Sequence, residues 1–207
     1  MINRVSLEKA VYVLKIAVVG PPRSGKSIIV ATLLFFLRDH LNVDIKHVQT
    51  DVKDIVVPQI IRGEKPIKRK EFDLKEYYER LKILEKTEAE IVITDAPGRL
   101  TKQLDDLIQR IDAIIFVHKS LEDWEKDAQI GRADPPAAWK ERIDKWGKEI
   151  LLEIETYLSQ DFSKMVLDFE RKKCKIPITT GRERGIMINH PGILAIAYYI
   201  KERARKN

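Results

Sequence analysis

The segment Gly20-Pro21-Pro22-Arg23-Ser24-Gly25-Lys26-Ser27 sets two glycines five positions apart and follows the second with a lysine and a serine. That order suits the capture of a polyphosphate. Gly20 and Gly25 let the backbone curl into a ring whose N–H groups converge on an anion. A helix opening near Lys26 adds the positive end of its dipole, so the candidate ligand contacts run from Gly20 through Ile28. Lys26 is expected to stand exposed at the loop as a point charge that reaches the outer phosphates. The Ser27 hydroxyl is a hard oxygen ligand of the kind Mg2+ takes. A chain of this length matches the pattern by accident about once in a hundred. The setting, after an apolar strand and at the start of a helix, is the one the chemistry requires.

Some seventy residues later the run Ile91-Val92-Ile93-Thr94-Asp95 ends a buried strand on a carboxylate, and Ala96-Pro97-Gly98 follows. Loop and aspartate together resemble the P-loop NTPase superfamily, over about the first 120 residues. The resemblance implies a three-layer α/β fold, with a mainly parallel sheet covered by helices on both faces and the ligand at the carboxyl ends of the strands. It also implies that Asp95 holds Mg2+, usually through water. The Asp-x-x-Gly pattern of Asp95 to Gly98 is that of GTPase-like members, in which the glycine N–H senses the γ-phosphate.

Three departures bear on the subfamily. No guanine-reading Asn-Lys-x-Asp follows the strand that ends Phe116-Val117-His118-Lys119-Ser120, so ATP is expected over GTP. The partition ATPases carry a signature lysine just after the first loop glycine, where this chain has Pro21. The loop is also similar to those of nucleotide kinases and AAA-type ATPases, with Arg23 where glycine is frequent.

Other side chains are candidates by placement. Arg99 and Arg23 flank the phosphate site in sequence, and either could neutralise charge on a γ-phosphate in the transition state. Asp51, after the second strand, lies where a residue could face nucleotide or acceptor, although an exposed turn fits it as well. His118 ends a strand on the same sheet edge, where a rim role is the more ordinary one. Arg182 and Arg184, between Gly181 and Gly185, could close over phosphates, or simply form a charged turn.

Behind these residues the chain alternates apolar runs with amphipathic helices, which argues for a parallel sheet between helical layers. Strands are predicted at 15–19, 44–49, 90–94, 113–117, 165–169 and 186–188. Helices are predicted from 26 to 39, from the Asp73 cap along Leu74, Tyr77, Tyr78, Leu81 and Leu84, across Leu100 to Ile111, and from Ser120. Asp134 and Pro135 predict the start of a long helix with the stripe Trp139, Ile143, Trp146, Ile150, Ile154, Tyr157. A last helix opens at Pro191 and fades into a basic tail at 201–206. Surface loops are expected at 62–70, 131–136 and 171–185.

Composition narrows the class. The 207 residues fit one domain, 1–207, with enough apolar content (44%) for a core without metal or disulfide help. The single cysteine, Cys174, excludes an internal disulfide and suits a reducing cytoplasm. No apolar run is long enough to span a bilayer, so no membrane contact is expected. The net charge of +6 permits nucleic-acid binding, but the basic run at 62–70 lacks interleaved aromatics and reads as a solvated loop.

These observations point to Mg2+-dependent binding and hydrolysis of a nucleoside triphosphate, coupled to a conformational switch that a protein partner reads. Lys26, Asp95 and Arg99 are the catalytic candidates, and Ser27 and Asp95 the metal ligands. Two alternatives fit the same residues: a kinase moving the γ-phosphate to a small molecule or a nucleotide, and a non-hydrolysing nucleotide-dependent interaction module.

Overall fold

A computed structural model describes residues 12–52, 54–64, 67–68, 71–178 and 186–206. The first strand, β1 (Leu14–Val19), is followed by α1 (Lys26–Phe35), which runs on into a π-helical turn at Phe36–His40. Then come β2 (Ile45–His47), the short antiparallel pair β3 (Asp54–Ile55) and β4 (Ile67–Lys68) with α2 (Val57–Arg62) between them, and α3 (Leu74–Lys86). The middle of the chain holds β5 (Ile91–Asp95), α4 (Lys102–Ile108), β6 (Ala113–Lys119), α5 (Leu121–Gln129) and α6 (Pro136–Trp146). It ends with β7 (Glu149–Leu158), β8 (Val166–Asp168), β9 (Lys173–Ile178) and α7 (Pro191–Lys206).

Seven strands form one sheet in the order β2-β5-β1-β6-β7-β9-β8, parallel except for the last, which pairs antiparallel. Strand alternation splits the core in two. Ile16, Val18, Ile93, Ile115, Val117 and Ile154 face α1, α2 and α7, whereas Ala17, Val19, Val92, Ile114 and Phe116 face α3, α4, α5 and α6. The three-layer α/β architecture expected from the sequence is the observed one. Helix α1 is apolar nearly all round because α2 and α7 pack on the sides the sheet does not reach.

Local signals set several helix starts. The Asp73 carboxylate accepts the Glu76 N–H at 2.9 Å, and the Ser120 hydroxyl accepts the Asp123 N–H at 3.3 Å. In α3, Tyr77, Leu81 and Leu84 are buried, while Leu74 and Tyr78 of the expected stripe are exposed at its flank. The helix α7 does not fade at 201 but continues through Lys206, held by buried Ala204 and by Arg203 on Glu149 at 2.6 Å.

The long helix predicted from 134 is half helix and half strand. Helix α6 stops at Gly147, which takes a left-handed φ of 60°, and β7 begins two residues later. Its side chains alternate: Leu152, Ile154 and Thr156 point into the core, while Glu153 and Glu155 point to the other face. There they pair across the sheet with Lys173 at 3.5 Å and Lys175 at 2.7 Å. Asp134 is not the cap of α6, whose N-cap is Pro135 without a side-chain bond. Its carboxylate instead accepts the Leu100 N–H at 2.9 Å.

Two further expectations are corrected. The expected loop at 171–185 contains β9, with Cys174, Ile176 and Ile178 buried, and 186–188 forms no strand. Pro177 is tolerated because it lies past the end of β8, where no strand needs its missing N–H. In the expected loop at 62–70, Arg62 closes α2 and pairs with Glu64 at 3.0 Å, and residues 65–66 and 69–70 lie outside the described residues. Among the described residues, no helix is long and apolar enough to cross a membrane.

Candidate phosphate and metal site

The loop after β1 begins with a contact that only glycine permits. Gly20 has a φ of 143°, and a Cβ there would sit 1.9 Å from the Val117 carbonyl oxygen of neighbouring β6. At the other end Gly25 caps α1 with a φ of 87°, and the amides of Ile28 and Ile29 donate to its carbonyl. Arg23 is left-handed too, at a φ of 61°, and its side chain is exposed. Left-handed residues on both sides of fully buried Ser24 make a tight bend, of the kind that lets successive backbone amides serve one anion.

Lys26 is buried, not exposed as the sequence suggested. Its ammonium donates to the Gly20 carbonyl at 3.0 Å and the Pro21 carbonyl at 2.9 Å, which ties the helix start to the loop start. The ring is therefore short of donors on one side: Pro21 and Pro22 carry no N–H and contribute shape alone. The amides of Arg23, Ser24 and Gly25 donate to no acceptor among the described residues. Unpaired N–H groups beside a helix N-terminus and a lysine fit an anion with several oxygens, as a polyphosphate has.

Parallel pairing brings the second element alongside. Val18 of β1 is opposite Asp95 of β5, and the Ala96 N–H donates to the Val18 carbonyl at 3.1 Å. The Ser27 hydroxyl thereby meets Asp95 Oδ2 at 2.5 Å. Thr50, three residues beyond β2, holds the Asp95 backbone: its hydroxyl donates to the Asp95 carbonyl at 3.0 Å and lies 2.7 Å from the Thr94 hydroxyl. One hydroxyl and one carboxylate, converging at the carboxyl edge of the sheet, fit Mg2+, which takes few protein oxygens and keeps positions for water and phosphate. Gly98 closes on the same loop, since a Cβ there would lie 3.0 Å from the Pro22 nitrogen and 3.1 Å from its Cα.

The remaining candidates are placed differently. Arg99 turns away to the segment before α6, donating to the Gly131 carbonyl at 2.7 Å and lying 3.7 Å from Asp134 Oδ1. His118 is tied by both ring nitrogens, to the Lys119 carbonyl at 2.6 Å and Glu153 at 3.2 Å, and stacks on Trp124. Glu153 is held below its ordinary carboxylate pKa by that His118 bond, with help from Lys173 against the effect of burial. Asp51 is half-buried beyond β2, on the same sheet edge as Asp95, and its carbonyl accepts from the Gln49 amide at 2.9 Å. Arg182 and Arg184 lie outside the described residues.

Three residues around the site are not among the candidates the sequence offers. Besides Thr50, the Thr156 hydroxyl of β7 donates to the Ser24 carbonyl at 2.9 Å, and Ile178 of β9 lies 2.5 Å from where a Gly25 Cβ would be. The available hint concerns Thr156 alone, which follows Leu152 and Ile154 on the otherwise apolar face of β7.

No family model and no curated protein sequence matches the chain. Solved structures do. The septum site-determining protein MinD of Pyrococcus horikoshii OT3, complexed with Mg-ADP, is 14% identical, covers 93% of this chain and 96% of its own, and superposes with a TM-score of 0.59. The cell division ATPase MinD of Pyrococcus furiosus is 13% identical over 92% of this chain and 99% of its own, at a TM-score of 0.58. A plasmid partition protein of Borrelia burgdorferi is 14% identical over 95% and 100%, at 0.51. At these identities the likeness is one of fold, and Pro21 still stands where the partition ATPases carry their signature lysine. Together with the loop after β1 and the strand order around it, these similarities give the chain the fold of the P-loop NTPases.

Proposed function

We propose that this chain, as one domain spanning 1–207, binds a nucleoside triphosphate with Mg2+ and hydrolyses it, ATP being preferred, in a cycle that changes its shape for a protein partner. The observation that carries this reading is the Ser27–Asp95 contact at 2.5 Å beside a loop whose Arg23, Ser24 and Gly25 amides donate to no acceptor among the described residues. Lys26 and the amides from Arg23 onward would hold the phosphates, and Ser27 and Asp95 would hold the metal. Mg2+, when bound, neutralises charge on the β- and γ-phosphate oxygens and so stabilises the transition state. The contact of Gly98 with Pro22 supports the switch, because a shift of the glycine toward a γ-phosphate must move the segment that leads to Arg99 and the 131–134 turn.

Adenine is favoured on a sequence property of the whole chain: none of its four asparagines is followed by lysine, so no Asn-Lys-x-Asp exists at β6, β7 or elsewhere. The test is titration with ATP, GTP, ADP and GDP in Mg2+, followed by product analysis. ATP should bind at least as tightly as GTP and yield ADP and free phosphate. In Lys26→Ala the loss of a charge-assisted contact should weaken binding roughly ten- to a hundredfold. Unchanged affinity in a folded Lys26→Ala protein refutes the site. A phosphorylated acceptor in place of free phosphate replaces hydrolysis with transfer.

A further inference from the structure

We propose that Thr156 is a positioning residue for the phosphate loop, acting by fixing which way the peptide between Ser24 and Gly25 faces; this rests on the reading of that loop as a nucleotide site. On the core side of β7, Leu152 and Ile154 are followed by Thr156, which is as buried as they are but carries a hydroxyl. Strand β6 separates β7 from β1, and the loop leans over its end. The Thr156 hydroxyl lies 2.9 Å from the Ser24 carbonyl oxygen and 3.1 Å from that of His118 at the end of β6. Its one proton is shared between two backbone acceptors.

The consequence follows from peptide geometry. All peptide bonds among the described residues are trans, so the carbonyl of Ser24 and the N–H of Gly25 point in opposite directions from one plane. With the carbonyl drawn toward Thr156 of β7, the Gly25 N–H is turned away from it. The sequence does not itself fix that orientation. A flip of this plane changes ψ of Ser24 and φ of Gly25 together, and glycine accepts the new φ where another residue would resist it. The Thr156 hydrogen bond supplies the missing restraint, and Ile178 packs against the same glycine. The orientation matters more here than in a loop with a full set of amides, because Pro21 and Pro22 have none to offer.

The test compares Thr156→Val, which keeps the shape and loses the donor, with Thr156→Ser, which keeps the donor. Affinities for Mg-ATP, Mg-ADP and inorganic pyrophosphate are measured beside the nucleotide-free unfolding midpoint. Thr156→Val should lose about tenfold for all three ligands, the scale of one hydrogen bond to a charged group. Its midpoint should stay close to that of the unaltered protein, and Thr156→Ser should bind normally. If Thr156→Val does not fold, Thr156→Cys, a close fit with a poor donor, takes its place. Normal binding by the donor-less variant overturns the proposal, as does an equal loss in Thr156→Ser. Where Lys26→Ala loses nucleotide but Thr156→Val does not, only the tether falls. An unaltered protein that binds none of the three ligands removes the nucleotide reading along with it.

Discussion

The Ser27 hydroxyl donates to Asp95 Oδ2 at 2.5 Å although 68 positions separate the two residues. The contact exists because β1 and β5 are direct neighbours, with Val18 opposite Asp95. Replacing Asp95 with Asn keeps the size and a hydrogen-bonding oxygen but removes the charge that would orient hydrated Mg2+. We expect nucleotide to remain bound at millimolar Mg2+ while turnover falls roughly a hundredfold or more. Steady-state phosphate release and a binding titration on the same preparation check this. Wild-type turnover would make Asp95 a structural cap, and Asp51 the next metal candidate.

The two loop glycines should respond differently to alanine. At Gly20 the new methyl would meet a backbone oxygen at 1.9 Å, and the backbone of β6 cannot step aside. Gly20→Ala should cost several kcal/mol and leave little folded protein. At Gly25 the obstacle is the tip of Ile178, which can rotate, so the remaining penalty is the left-handed φ of 87°, about 1 kcal/mol. Gly25→Ala should therefore fold with a slightly lowered unfolding midpoint. Equal midpoints for the two variants would contradict the geometry.

His47 gives the protein an acid limb. Part of the residue reaches solvent, yet its Nε2 is buried with no hydrogen-bond partner among the described residues, and burial pulls its pKa down to about 4. The unfolded chain takes up that proton near pH 6.5, so between there and about 4 it binds more protons than the folded one. Stability should fall as pH drops through this window, by on the order of 3 kcal/mol from this residue. His190 acts in the same direction: burial lowers its pKa, and its Nδ1 accepts the Ile193 N–H while Nε2 meets the Pro177 carbonyl. Urea unfolding from pH 7.5 to 4.5 should show a clearly flatter slope in His47→Leu than in the unaltered protein. Parallel curves would mean that His47 is charged in the fold.

Cys174 is the single cysteine, and burial raises its pKa to about 11. At pH 8 its thiolate fraction is then about a hundredfold below that of an ordinary thiol. Iodoacetamide should leave the native protein unmodified for hours and label one site completely in urea, as mass spectrometry would show. Rapid native labelling would mean that β9 opens readily.

The phosphate loop, the Asp95 strand and the caps at Asp73 and Ser120 were legible because each depends on residues adjacent in sequence. The segment from Ile150 to Tyr157 was misread for a definite reason. Ile150 and Ile154 are four apart, which satisfies a helical turn and two strand repeats alike, and only Gly147 and the charges at 153 and 155 separate the two. In β9 the alternation Lys173-Cys174-Lys175-Ile176 spans only four residues before Pro177, which makes it a weak strand signal. The bonds from Thr156 to Ser24 and from Thr50 to Asp95 join segments that no local pattern connects. Arg99 drew attention by standing beside Gly98, whereas its direction is set by the Gly131 carbonyl, which sequence does not place.

The seating of Gly25 against Ile178 also has a meaning in time. During synthesis the loop leaves the ribosome before the side chains that brace it, which come from β7 and β9. At about 5–20 residues per second, the roughly 150 residues between them take on the order of ten to thirty seconds to make. Until then the nascent loop has its glycines and its lysine but not its frame. On the proposed reading, nucleotide capture would wait until β9 has been made, and a bound triphosphate would report that the β7 and β9 side of the sheet has assembled.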